Sequence, residues 1–441
     1  MESAGHIVIR PEDLADPRVD EQLARQLSFG MAGAPPRVED AKTSLIQRPW
    51  FALMIAGLLG ALAGWGVIEP LVDDGLRFRG TVEQLELAGG GPVVGRMRVG
   101  GLTVWVPKLA RVVGPHGPGA ASDLGDGQEV EVRGQLIEKG DAIVAHELRI
   151  RGPGGPPARI DVRNLLLKHS LVALLVFPLL AAFVGLFIGA ADGLLSRALR
   201  RSAICGLVGL GIGFAAGLVA GLFAHFSYGI GAQIAESFSD GEGGYTAVGF
   251  LLQMVSRGIA WSLAGAAMGL GQGVALRSKK LALNGLLGGM VGALLGGLLF
   301  DPIYQLISGG RFGVEASASR AVGFAVIGIV TGLMIGVVEL MAREAWIKLL
   351  TGSLAGKEFV LYKNPTLIGS SPKSDIYLFK DAEVEPTHAA IRSSGEGYEI
   401  EDRGGPAGTF INGRRVVRRR LESGDQVRIG KTVFSFTEKD T

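Results

Sequence analysis

Two stretches of this chain, Gly206-Leu-Val-Gly-Leu-Gly-Ile-Gly-Phe-Ala-Ala-Gly217 and Gly285-Leu-Leu-Gly-Gly-Met-Val-Gly-Ala-Leu-Leu-Gly296, resemble each other and carry no charge. A helix needs roughly 20 apolar residues to cross a bilayer, and both stretches sit inside runs of that length. Working outward, spans are expected at 50–71, 168–193, 203–225, 247–274, 281–300 and 320–342. Three glycine triplets recur at four-residue spacing: Gly185, Gly189 and Gly193; Gly265, Gly269 and Gly273; Gly328, Gly332 and Gly336. Glycines so spaced share one helix face and let two backbones approach closely in lipid, so these nine are assigned to helix packing. Ser256-Arg257 and Ser319-Arg320 precede the second and third triplets at matching offsets. The sequence therefore implies a repeated helical hairpin.

Composition agrees with a membrane protein. The 441 residues include 69 glycines and 48% hydrophobic residues, with mean hydropathy +0.34. Net charge is only +2, so nothing favours nucleic acid as a partner. One cysteine, Cys205, allows no intrachain disulfide. The loops set the orientation. Arg197, Arg200 and Arg201, and then Arg277, Lys279 and Lys280, follow the second and fourth spans, whereas 227–246 has no lysine or arginine. By the positive-inside tendency both termini are expected in the cytoplasm, in a plasma or bacterial inner membrane. Residues 1–48 read as a flexible cytoplasmic tail with a short helix near Asp13–Leu27.

Between the first two spans, 78–152 changes character. Five β-type runs, Gly80–Leu87, Val93–Val99, Leu102–Val106, Val130–Leu136 and Ala142–Ile150, are separated by Gly, Pro and Asp clusters. Together with Gly125-Asp-Gly-Gln-Glu-Val-Glu-Val-Arg-Gly134 they resemble an oligonucleotide/oligosaccharide-binding (OB) barrel, placed outside the membrane. Only Trp105 offers an aromatic platform for a ligand.

The last segment, 357–437, contains Leu367-Ile-Gly-Ser-Ser-Pro-Lys-Ser-Asp-Ile-Tyr-Leu378, Glu385-Pro-Thr-His-Ala-Ala-Ile391 and Gly408-Thr-Phe-Ile-Asn-Gly413. These resemble a forkhead-associated (FHA) domain. The resemblance implies a cytoplasmic β-sandwich that docks phosphothreonine peptides on the loops at one end. Carried over residue by residue, the peptide-binding loops hold Gly369, Ser370, Lys373, Glu385, His388, Thr409, Asn412, Gly413 and Arg414. Three positions depart from the family pattern: Ser370 stands for its arginine, Glu385 for its serine and Ala407 for its asparagine. A phosphothreonine carries about −1.5 to −2 charges, which arginine grips with a bidentate fork and serine cannot. A carboxylate at 385 repels by roughly 4 kcal/mol per charge pair at 4 Å when the effective dielectric is near 20. Lys373 and the basic run Arg414, Arg415 and Arg418–Arg420 are the cations left to compensate, and that run also suits anionic lipid head groups.

Enzyme chemistry finds no footing. Gly352-Ser-Leu-Ala-Gly-Lys357 is one residue too short for a phosphate loop and reads as a linker into the sandwich. Six scattered histidines show no metal-ligand spacing, and neither a cofactor nor a metal is implied. The expected whole is a multidomain membrane scaffold: a six-span bundle, an external β-barrel and an FHA-like module that binds a cytoplasmic protein with little phosphate dependence. The alternative is a solute transporter or channel regulated by that module. A polar cavity converging on Arg257, Arg320 or Asp301 would distinguish it.

Overall fold

In the computed structural model the described residues are 38–39, 42–72, 76–87, 93–108, 110–115, 117–136, 142–151, 162–238, 246–308, 317–395 and 397–439. The helix expected near Asp13–Leu27 lies outside them. The chain divides into two compact units, Leu45–Arg343 and Glu344–Thr441 together with Met1–Ser44.

Among its described residues the first unit contains six helices long and apolar enough to cross a membrane. They are α1 (Pro49–Ile68), α2 (Val162–Leu195), α3 (Leu199–Glu236), α4 (Ala247–Ala275), α5 (Lys279–Ser308) and α6 (Ser317–Ala342). Local chemistry starts and stops them. Proline opens α1, where its missing N–H costs nothing, and the Thr246 hydroxyl caps α4 by accepting from the Gly249 amide. The turns α2–α3 and α4–α5 are the same device. Arg197 and Arg277 both take the left-handed conformation (φ 53°), and the amides of Ala198 and Ser278 return to the carbonyls of Gly193 and Gly273. Each helix packs on the next in sequence, and α6 packs on α1, which closes a ring.

The glycine triplets lie at the tightest crossings. A Cβ at Gly185, Gly189 or Gly193 of α2 would overlap the backbone of Gly209, Cys205 or Ser202 in α3. At Gly265, Gly269 and Gly273 of α4 it would strike Gly289, Gly285 and Ala282 of α5. The third triplet, Gly328, Gly332 and Gly336 of α6, faces Gly57, Leu53 and Trp50 of α1. Arg257, which interrupts the apolar pattern of α4, is tied to Asp301 of α5 at 3.1 Å, and Arg320 of α6 reaches Glu69 beyond α1 at 2.6 Å. Beside these pairs the rings of Phe177, Trp261, Phe324 and Phe300 pack at centroid separations of 4.7, 5.8 and 6.1 Å.

Between α1 and α2 stand β1 (Leu76–Leu87), β2 (Val93–Val99), β3 (Leu102–Pro107), β4 (Arg111–Gly114), β5 (Gly117–Gly119), β6 (Glu129–Leu136) and β7 (Ala142–Arg151). The order β3-β2-β1-β6-β7, with β7 returning parallel to β3, closes a five-stranded barrel. Alternate residues Met97, Val99, Val104, Val106, Val130 and Val132 fill it, as the period of two requires. The short β4–β5 hairpin, which the sequence did not announce, extends the sheet alongside β7. Trp105 is 37% exposed on the outside.

The second unit is a sandwich of eleven strands: β8 (Ala345–Leu349), β9 (Glu358–Val360), β10 (Thr366–Gly369), β11 (Ile376–Tyr377), β12 (Ala389–Ser394), β13 (Gly397–Asp402), β14 (Thr409–Ile411), β15 (Arg414–Val416), β16 (Arg418–Arg420), β17 (Gln426–Ile429) and β18 (Thr432–Glu438). One sheet runs β11-β10-β12-β13-β16 and the other β15-β14-β17-β18-β8-β9. Phe434, Phe436, Ile347, Leu349, Ile368, Ile400, Ile411, Val427 and Ile429 form the dry core between them. The module therefore begins at Ala345 rather than 357, because β8 pairs with β18. Gly352–Lys357 is the turn from β8 to β9, not a linker: the Leu349 and Gly356 amides bond back to Lys357 and Leu349.

Gly269→Leu is expected to disrupt the bundle, because the new side chain meets the Gly285 backbone, which cannot yield. Leu270→Ala removes a half-buried side chain and is expected to cost far less. Detergent-melt midpoints of the two variants check this; equal values would remove the packing role.

Candidate functional site

Strand β10 carries Gly369 to one end of the sandwich, where three loops converge. A Cβ at Gly369 would overlap the Pro386 carbonyl, so glycine is required there by proximity. The loop after it is stitched to its neighbour. The Ser370 amide donates to the Glu385 carbonyl at 2.9 Å, while the Ser371 amide and the Ser374 hydroxyl donate to the Pro386 carbonyl at 3.3 and 3.0 Å. His388 is wholly buried beneath. The Glu385 amide donates to its Nδ1 at 3.2 Å, so the proton sits on Nε2, which faces the Gly408 carbonyl at 3.2 Å. The His388 amide donates to Ile368, and its carbonyl accepts from Arg403. One imidazole thus holds the 385–388 and 405–409 loops together. Thr409 is buried at the same end, its hydroxyl unpartnered among the described residues.

Gly369, Ser370, Lys373, Glu385, His388 and Thr409 therefore share one end. Asn412, Gly413 and Arg414 do not: they turn the β14–β15 hairpin at the far end of β14. Asn412 there accepts from the Gln426 amide and donates to Asp425 at 2.7 Å, which makes it a brace of that turn. The cation that does approach the loops is Arg415, whose guanidinium lies against Gly408. Along a strand neighbouring side chains point to opposite faces, so of the Arg414-Arg415 pair only strand register could select the second.

The other end of the sandwich is the attachment end. Ala345 pairs with Glu438, and Gln426, in register with Ser435, lies toward the same end with Asn412 beside it. Tyr398 lies near it, its hydroxyl pKa pushed up by burial and by the carboxylates of Glu344 and Glu438. Val38 is held at this end too: its amide donates to the Gln426 side-chain oxygen at 3.0 Å, and its carbonyl accepts from the same amide group at 2.9 Å.

A family described as the cytoplasmic domain of the inner membrane component of T3SS matches residues 348–440. The oxoglutarate dehydrogenase inhibitor of Corynebacterium jeikeium is 36% identical over 96 residues, 22% of this chain and 66% of that protein. Its counterpart in Corynebacterium efficiens is 34% identical, over 22% of this chain and 67% of its own length. This chain spans about two thirds of the length of these curated relatives. Among solved structures, the FHA domain of a Chlamydia trachomatis protein is 27% identical, with 22% of this chain and 100% of that chain covered at a TM-score of 0.21.

His388→Ala is expected to loosen both loops, by losing two hydrogen bonds and leaving a cavity, at a cost of about 2–4 kcal/mol. Urea unfolding of residues 343–441 measures it. A change below about 0.5 kcal/mol, typical of surface substitutions, would deny the imidazole its bracing role.

Proposed function

We propose, for a chain that through residues 348–440 belongs to the forkhead-associated family, the role of a membrane-anchored recognition scaffold for a cytoplasmic protein. The observation that carries this reading is the polarity of the sandwich. Helix α6 ends at Ala342 and β8 opens at Ala345, so the chain enters at the end opposite Gly369, Ser370, Glu385 and Thr409. The recognition loops are thus carried at the end of the sandwich away from its first strand.

The site's chemistry supports recognition that leans little on phosphate. Ser370 cannot offer a fork, and the exposed Glu385 opposes an anion. Arg415 approaches from the β15 side, where it leans on Gly408 rather than on the Ser370 loop. The bundle supports anchoring over transport. Its ionisable residues Arg257, Arg320 and Asp301 are spent on each other and on Glu69, and aromatic rings pack beside them. Glycine faces closed on backbone leave those crossings without room for a solute. The nine triplet glycines are accordingly read as packing residues, and the barrel is placed outside the membrane.

A pull-down with residues 343–441 from lysate treated or untreated with phosphatase tests the recognition reading. The same partner is expected in both samples; capture that vanishes with phosphatase would sink the phosphate-independent account. In fluorescence anisotropy the unaltered module should bind phosphothreonine peptides weakly or not at all. Ser370→Arg with Glu385→Ser should strengthen binding by about tenfold or more, since each charge-assisted bond is worth about 1.5–3 kcal/mol. Tight binding by the unaltered module would instead assign the phosphate grip to Arg415. For topology, a reporter fused after Thr441 should be active only on the cytoplasmic side and one near Gly117 only outside. Matching signals from both positions would overturn the layout.

A further inference from the structure

The outer face of the six-stranded sheet carries a row of residues that the core does not use. Thr409 and Ile411 of β14 and Val427 and Ile429 of β17 point inward and are buried. Their neighbours Phe410, Gln426 and Arg428 therefore point outward, as the alternation of a strand requires. Phe410 stands opposite Arg415 of β15 on one side and Arg428 on the other. The Arg428 guanidinium lies 3.9 Å from the Phe410 ring centroid, and its Nη1 donates to the Gly430 carbonyl at 3.2 Å. One step further along the strands, Gln426 meets Asn412. The Gln426 amide donates to Asn412 Oδ1, and the Gln426 carbonyl accepts from the Asn412 amide, both at 2.9 Å. Asn412, expected among the recognition loops, thus fixes the backbone of Gln426.

The side chain so presented holds Val38. Its Oε1 accepts from the Val38 amide at 3.0 Å, and its Nε2 donates to the Val38 carbonyl at 2.9 Å. One carboxamide therefore satisfies both main-chain polar groups of one residue. In an extended chain the N–H and C=O of a residue point to the same side, and a neighbouring strand meets them with its own C=O and N–H. The Gln426 side chain takes that strand's place. These two bonds read the backbone at 38 and not the valine. Val38 and the sandwich fall in one compact unit.

We infer that the outer face of β14, β15 and β17 is a docking surface for this chain's own N-terminal segment, with Gln426 gripping its main chain at Val38. Main-chain hydrogen bonds supply the grip, as when a peptide strand adds to a sheet edge. Here the grip comes from a side chain standing on a sheet face. The surface is separate from the recognition loops, because Gly369 lies on β10 and therefore in the other sheet, with Ser370 directly after it. The sandwich thus carries two surfaces of different chemistry, and the second does not depend on whether the loops take a phosphopeptide.

Site-resolved hydrogen exchange of the full chain in lipid nanodiscs tests this. The Val38 amide should exchange about tenfold or more slowly than an unstructured amide. Gln426→Leu removes both bonds and should return Val38 to the unstructured rate, while native protection at Val427 and Ile429 reports that the sandwich is folded. If Gln426→Leu does not fold, Gln426→Glu takes its place: its carboxylate still accepts from the Val38 amide but cannot donate to the carbonyl, so part of the protection should be lost. Ser370→Arg with Glu385→Ser should leave Val38 unchanged. A Val38 amide that exchanges at the unstructured rate in the native chain would overturn the inference, as would protection that survives the Gln426 substitution in full. Protection lost on the loop substitutions instead would seat the segment in the recognition loops and overturn it equally.

Discussion

The constraint on which this molecule depends is the contact of backbone with backbone in a solvent that gives apolar side chains no reason to associate. Water drives hydrophobic faces together, but lipid tails are as apolar as leucine, so helices in a bilayer must gain from proximity itself. Here the gain is concentrated where glycine meets glycine, at Gly185–Gly209, Gly265–Gly289 and Gly328–Gly57. These crossings set the spacing of the ring and so the place of every other group within it. Trp261 and Phe324 are buried because the crossings leave large side chains to fill the space beside them. The two arginines meet their acids because the helices are held in matching register.

The same economy of means appears in the FHA sandwich, where a single buried imidazole substitutes for many contacts. His388 bonds one loop through each ring nitrogen. Loops held this way can exchange exposed residues without refolding. In the proposed reading, this lets Ser370 and Glu385 depart from the resemblance while Gly369 and His388 match it.

Much of this was legible in the sequence because hydropathy and spacing are local. The six spans, the five barrel strands and the glycine triplets could all be read from runs of residues. What was hidden depends on distant parts meeting. Nothing in Gly328, Gly332 and Gly336 reveals that their counterpart is the first span, some hundreds of residues earlier. Glu69 looks like an ordinary boundary residue until Arg320 is placed against it. Strand β8 escaped because Ala345-Trp-Ile-Lys-Leu349 follows an apolar helix so closely that its period of two is lost in the run before it. Asn412 and Gly413 misled for another reason. A family pattern gives the order of residues along the chain, whereas the β14 hairpin carries the chain away from the loops before it turns.

That α6 is the partner of α1 has a consequence for how the protein is made. Among the described spans α1 is the earliest in the chain, so it enters the bilayer with the face of Gly57 bare until its mate α6, the latest of the six, is made. Meanwhile α2 to α5 can pair among themselves as they emerge. Ring closure is then a late, non-local event, of the kind that pays its loop-closure entropy before any contact rewards it. A chain interrupted before α6 has the other five described spans in place and yet presents an open seam, a form that quality-control proteases could tell from the finished ring.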